Sequence, residues 1–163
     1  DGSPDGDRGG EGATPPLVGT TLRARRKYEM IMPEQINELY LAPCGVNCFV
    51  CYVHLKKKKP CNGCYGDNEN KPERCKNCRI KNCVISKSIK YCFECNDFPC
   101  VLIKNLDKSY RKRYSVELIK SAGFIKENGI EKYMKNERNK WLCMDCGGIK
   151  TQHGNYCSEC TSK

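Results

Sequence analysis

Cys143-Met144-Asp145-Cys146-Gly147-Gly148, followed after ten intervening residues by Cys157-Ser158-Glu159-Cys160, is the stretch that decides the fold. Two Cys-x-x-Cys knuckles at that separation can bring four sulfurs to the corners of a tetrahedron, and the glycines let backbone amides approach the sulfurs. The spacing predicts a structural zinc ribbon, closed by four protein ligands and leaving no position for a substrate. His153 falls between the knuckles. Because four sulfurs already satisfy an ion, it reads as a turn residue.

Moving toward the N-terminus, Cys75-Lys-Asn-Cys78 with Cys83, and Cys92-Phe-Glu-Cys95 with Cys100, repeat one Cys-x-x-Cys-x4-Cys pattern. Cys61-Asn-Gly-Cys64 adds a further knuckle, and Cys44, Cys48 and Cys51 form a triplet. Eleven cysteines do not divide into fours. Adding His54, three residues after Cys51, makes twelve donors, enough for three tetrahedral sites. His54 reads equally well as a surface residue ahead of the lysine run, and spacing alone leaves the pairing of the knuckles open.

An iron–sulfur cluster is the rival for Cys44, Cys48 and Cys51. Their Cys-x3-Cys-x2-Cys spacing is that of radical-SAM enzymes, but those build a partial barrel much larger than this chain. A ferredoxin-type carrier fits the size, although Pro99 precedes Cys100 where the bacterial ferredoxin pattern has proline after the last cysteine. No Cys-x-x-Cys sits at the head of a helix in a βαβ setting, as a thioredoxin-like dithiol needs. Nor do the two histidines stand in a nucleophile-and-base motif.

Composition agrees with a metal-held chain. Of 163 residues, 15 are cysteine, while Leu, Ile, Val and Phe together make up less than a fifth. So thin an apolar supply is characteristic of small domains that rely on metals or disulfides. The odd cysteine count, the short spacings and the lack of an apolar export segment favour reduced, metal-binding thiolates in the cytoplasm. No run of apolar residues is long enough to span a membrane. The formal charge of +10 counts every thiol as neutral. With fifteen thiolates around four divalent ions it falls to about +3. Lys56, Lys57, Lys58 and Lys59, with Lys71, Arg74, Lys76, Arg79, Lys81, Lys87 and Lys90, could contact nucleic-acid phosphates, but neutralisation of neighbouring thiolates is the reading preferred.

The expected organisation has four parts. Residues 1–30 form a disordered extension, with Arg23, Arg25, Arg26 and Lys27 as a solvated basic group and Met30 or Met32 as a natural start. Residues 31–106 form a Cys-rich multi-metal domain, entered through a short helix over 33–40. Residues 107–141 form a helical bridge, and 142–163 the zinc ribbon. Within the bridge, Ser115 is expected to cap a helix ended by Gly123, and Asn128 with Glu131 to cap the next, which presents Ile130, Tyr133, Met134 and Trp141. The fold class is a small, metal-stabilised α+β or irregular protein.

Leu41-Ala-Pro-Cys44-Gly-Val-Asn-Cys48-x-x-Cys51, the Cys-x-x-Cys-x4-Cys pairs, Asn96-Asp97-Phe98-Pro99-Cys100, the stretch ending Asn139-Lys140-Trp141 and the terminal Cys143-x-x-Cys146-Gly knuckle share an order of motifs. Over about residues 40–160 this order resembles the uncharacterised, cysteine-rich prokaryotic family catalogued as domain of unknown function 3795. The resemblance implies a cytoplasmic protein with metal presumed and no assigned activity. From the residues themselves the expected function is a non-catalytic multi-zinc protein that acts as an interaction module with a protein partner. The alternatives are iron–sulfur electron transfer or cluster handling through Cys44, Cys48 and Cys51, and nucleic-acid binding.

Overall fold

The computed structural model describes residues 30–160. The expectations for the N-terminal extension before residue 30, including Arg23, Arg25, Arg26 and Lys27, lie outside the described residues. Five α-helices follow one another: α1 Glu73–Lys76, α2 Arg79–Ser86, α3 Val101–Tyr114, α4 Leu118–Asn128 and α5 Ile130–Trp141. Single 3-10 turns at Glu38–Tyr40, Cys48–Val50 and Cys92–Glu94 punctuate the cysteine-rich half. Among the described residues the β component of the expected α+β class reduces to three isolated antiparallel bridges, Leu41–Asn47, Leu142–Ile149 and Lys150–Cys157. The protein is mostly helical.

The helix expected over 33–40 shrinks to the 3-10 turn at Glu38–Tyr40. Asn37 explains the late start, because its side chain accepts the Leu39 N–H at 2.9 Å and so competes with a continuous helix through this point. Further along, α3 buries Ile103 and Asp107 on one face. The Asp107 carboxylate takes the Arg111 guanidinium at 2.9 Å and the backbone N–H of Ile119 at 3.0 Å. Ile119 lies in the first turn of α4, so a side chain from α3 satisfies one of the donors that a helix start leaves orphaned.

That long-range cap corrects the expected role of Ser115. It stands at φ +56° as the left-handed C-cap of α3, its N–H returning to the Arg111 carbonyl at 3.2 Å. Gly123 does not end α4 either. Burial of Leu118, Ala122 and Ile125 outweighs the roughly 1 kcal/mol cost of a mid-helix glycine. The helix stops at Gly129, whose φ of +88° suits a residue without a Cβ. Asn128 does not cap α5 with Glu131, since its side chain donates to the Phe124 carbonyl and accepts from Lys132. α5 then buries Tyr133, Met134, Glu137 and Trp141, with α4 packed between it and α3.

One apolar cluster runs through the described residues from Met32 and Leu41 through Val50, Ile103 and Leu118 to Ile149. Partly buried cysteines, Cys44, Cys48, Cys64, Cys78, Cys92 and Cys100, pack against it and supplement the thin aliphatic supply. Buried polar bonds join the parts. Glu137 accepts from the Trp141 indole at 2.8 Å and from the Asn47 amide at 3.1 Å. Gln152 donates to the carbonyls of Asn47 and Val50, and the Thr151 hydroxyl donates to Val50 as well, all at 3.0 Å. The turn at Cys48–Val50 is therefore held on one side by α5 and on the other by the C-terminal segment.

Candidate metal centre

Trp141 closes α5 and the chain turns at once into the first C-terminal knuckle. The Cys143 N–H donates to the Gly148 carbonyl and the Gly147 N–H to the Cys143 carbonyl, both at 2.9 Å, folding the knuckle back on itself. The Leu142–Ile149 and Lys150–Cys157 bridges then carry the second knuckle alongside it. The sulfurs of Cys143, Cys146, Cys157 and Cys160 all come within 4.8 Å of one another, an arrangement that can hold a metal ion.

The fit to an ion is close. A tetrahedron with metal–sulfur bonds of about 2.3 Å has edges of about 3.8 Å. Here Cys143–Cys160 measures 3.8 Å, Cys146–Cys157 3.5 Å and Cys146–Cys160 3.4 Å. Backbone amides point at the sulfurs as a thiolate site requires: Gly148 N–H at Cys146 and Glu159 N–H at Cys157, each at 3.4 Å. The N–H groups of Cys146 and Asp145 pull the Cys143 thiol down to about 7, whereas burial pushes Cys146 up to about 12. Without a cation the four cannot all ionise together. Position 148 is tight, since a Cβ there would sit 3.1 Å from the Cys146 sulfur and 3.2 Å from that of Cys157.

The eleven upstream cysteines are arranged more openly. Among the described residues, no group of three or more of their sulfurs, with or without His54, comes together within 4.8 Å in the way the C-terminal four do. The triplet Cys44, Cys48 and Cys51 is not such a group. Cys48 instead meets Cys64 at 3.8 Å, its thiol donating to the Cys64 sulfur, and this bond draws Cys64 down to about 7. Burial, then the proximity of Cys64, raises Cys44 well above the ordinary thiol range, with Cys78 and Cys92 adding to it. Cys51 is raised by burial and by Cys61, while Cys75 is raised by burial, then Cys64, Cys51 and Cys61. Burial pushes Cys92 up to about 12, with Cys100, Cys83 and Cys95 contributing.

The two histidines part company. His54 is buried, its ring 4.7 Å from that of Tyr40 and 5.3 Å from that of Phe49, so the surface reading of this residue is corrected. His153 packs among Tyr52, Tyr110 and Tyr114. It is no part of the four-sulfur set.

The lysines also divide. Lys56 to Lys59 are exposed. Lys87 reaches the Cys95 sulfur at 3.0 Å and the Asp97 carboxylate at 2.9 Å, which raises its pKa and sets a cation beside a cysteine. Lys71 is 4% exposed and donates to the carbonyls of Cys64 and Gly66 at 3.2 and 3.0 Å; burial lowers its pKa. Nothing in the local sequence distinguishes this buried lysine from its solvated neighbours.

Residues 40–105 match the family model described as "Protein of unknown function (DUF3795)". The matched segment carries Cys44 to Cys100, and the C-terminal four lie beyond it. No curated protein and no solved structure matches the chain. No helix among the described residues is long and apolar enough to cross a membrane.

Proposed function

We propose that this chain is a non-catalytic zinc protein of the cytoplasm, in which a zinc ribbon at Cys143, Cys146, Cys157 and Cys160, with further ions at the upstream cysteines, shapes a surface for a protein partner. The observation that carries the reading is the closed four-sulfur set. Four thiolates at near-tetrahedral separations satisfy a zinc ion completely, so its role there is to hold the chain rather than to activate water or substrate. The ion neutralises sulfurs that otherwise repel one another. It thereby fixes the strip from Ile149 to Gln152 against the Cys48–Val50 turn.

Elemental analysis with a visible spectrum, on protein prepared without oxygen, tests this. Colourless protein containing zinc is the expected result. Brown protein with iron and acid-labile sulfide would overturn it in favour of an iron–sulfur carrier.

A further inference from the structure

The segment Cys51-Tyr52-Val53-His54 repeats the local geometry of the knuckle Cys143-Met144-Asp145-Cys146. In both, the backbone N–H four residues on donates to the carbonyl of the first cysteine: Leu55 to Cys51 at 3.0 Å and Gly147 to Cys143 at 2.9 Å. At the C-terminal knuckle the third residue on supplies the second donor of the four-sulfur set. Here that residue is His54.

His54 is held as a metal-binding histidine needs to be. Its Nδ1 lies 2.7 Å from the Cys61 carbonyl oxygen, which can only accept, so Nδ1 carries a proton and in the neutral ring Nε2 is the nitrogen with the lone pair. The bond recruits Cys61 to the same place, and the Cys61 N–H donates in turn to the Val53 carbonyl at 3.2 Å. Cys51, His54, Cys61 and Cys75 then line one cavity of about 40 Å³; Cys48 and Cys64, which hydrogen-bond to each other, and the cations Lys71 and Arg74 complete its polar lining. Room of that size suits a single ion.

We propose that Cys51, His54, Cys61 and Cys75 form a second metal site, a Cys3His set for a zinc-class divalent ion. The assignment rests on the reading of this chain as a zinc protein and names which upstream groups act together. The three sulfurs stand further apart than the C-terminal four, and Cys75 is carried by the four-residue helix α1, so the ion has to draw the donors together. The assignment also settles the arithmetic of twelve donors. Eight cysteines remain, by number alone enough for two more four-sulfur sites.

Proton-detected cadmium NMR on the full chain, loaded with cadmium in place of zinc, tests the assignment. The expected result is one cadmium resonance coupled to the β-protons of Cys51, Cys61 and Cys75 and to the ring protons of His54. His54→Gln should lose one equivalent of bound metal, whereas His54→Cys should keep it, moving that resonance to an all-sulfur position. A resonance joining the three cysteines to a fourth sulfur with His54 uncoupled would overturn the site, as would full metal content in His54→Gln. The C-terminal resonance reports separately: its absence would overturn the ribbon reading while leaving the His54 couplings to be judged on their own.

Discussion

The C-terminal four cysteines and the eleven upstream use the same chemistry in different geometries. At 143–160 each knuckle turns within a few residues, two bridges align the pair, and the sulfurs arrive at near-ligand separations. Between Cys44 and Cys100 the knuckles hang on 3-10 turns and short helices, and the contacts between sulfurs link distant segments, as Cys48 with Cys64. A site whose donors are placed by local turns is nearly complete before the ion arrives. One whose donors come from separate elements depends on the ion to finish it. The C-terminal region should therefore bind metal with little rearrangement, and the upstream region should order as it binds.

The largest effect that can break this contrast is loss of a C-terminal ligand. Cys157→Ser should remove one metal equivalent and lower stability by several kcal/mol, out of a contribution on the order of 10 kcal/mol for a structural zinc. Metal content and thermal melts check it, and unchanged content would break the comparison.

Next comes the polar joint between the regions. Glu137→Leu strips the partner from the Asn47 amide and the Trp141 indole, both buried, and should cost about 3 kcal/mol in chemical denaturation without loss of metal. A loss of metal would instead show that α5 itself shapes a site.

A smaller effect is pH-dependent. Burial, then Arg74, holds the His153 ring down to about 4 against its ordinary value near 6.5. The unfolded chain takes up a proton in that window and the folded chain does not. The stability present above pH 6.5 should fall as the pH drops toward 4, by about 2 kcal/mol once the roughly 3 kcal/mol implied by the shift is reduced for solvent screening of a half-buried ring. His153→Phe should flatten that part of the profile relative to the parent, as measured by melting temperature against pH.

The smallest effect is expected at Lys56 to Lys59, all exposed. Replacing the four with Gln should change stability by less than about 0.5 kcal/mol. If the chain bound nucleic acid through them, the substitution would also abolish a steep salt dependence of binding.

What the sequence discloses follows the same division. The C-terminal set is legible because its determinants lie close together: two three-residue spacings and the glycine at 148. The apolar periodicity of 130–141 is legible too, whereas α3 runs across the boundary expected at residue 106. Helix ends are not, because the start of α4 is satisfied by Asp107 from another helix and Ser115 takes a left-handed turn that its identity alone does not announce. The upstream ligand grouping is hidden for the same physical reason, since it depends on which distant segments meet. Lys71 and Glu137 look like solvent-facing charges until their burial and partners are seen.

Removal of metal with a strong chelator under reductant, followed by amide NMR, tests the central claim most directly. If a sulfur-bound ion holds the C-terminal strip in place, the dispersed resonances of Ile149, Thr151 and Gln152 should collapse and return when zinc is added back. A spectrum that keeps its dispersion after complete removal of metal would contradict the account.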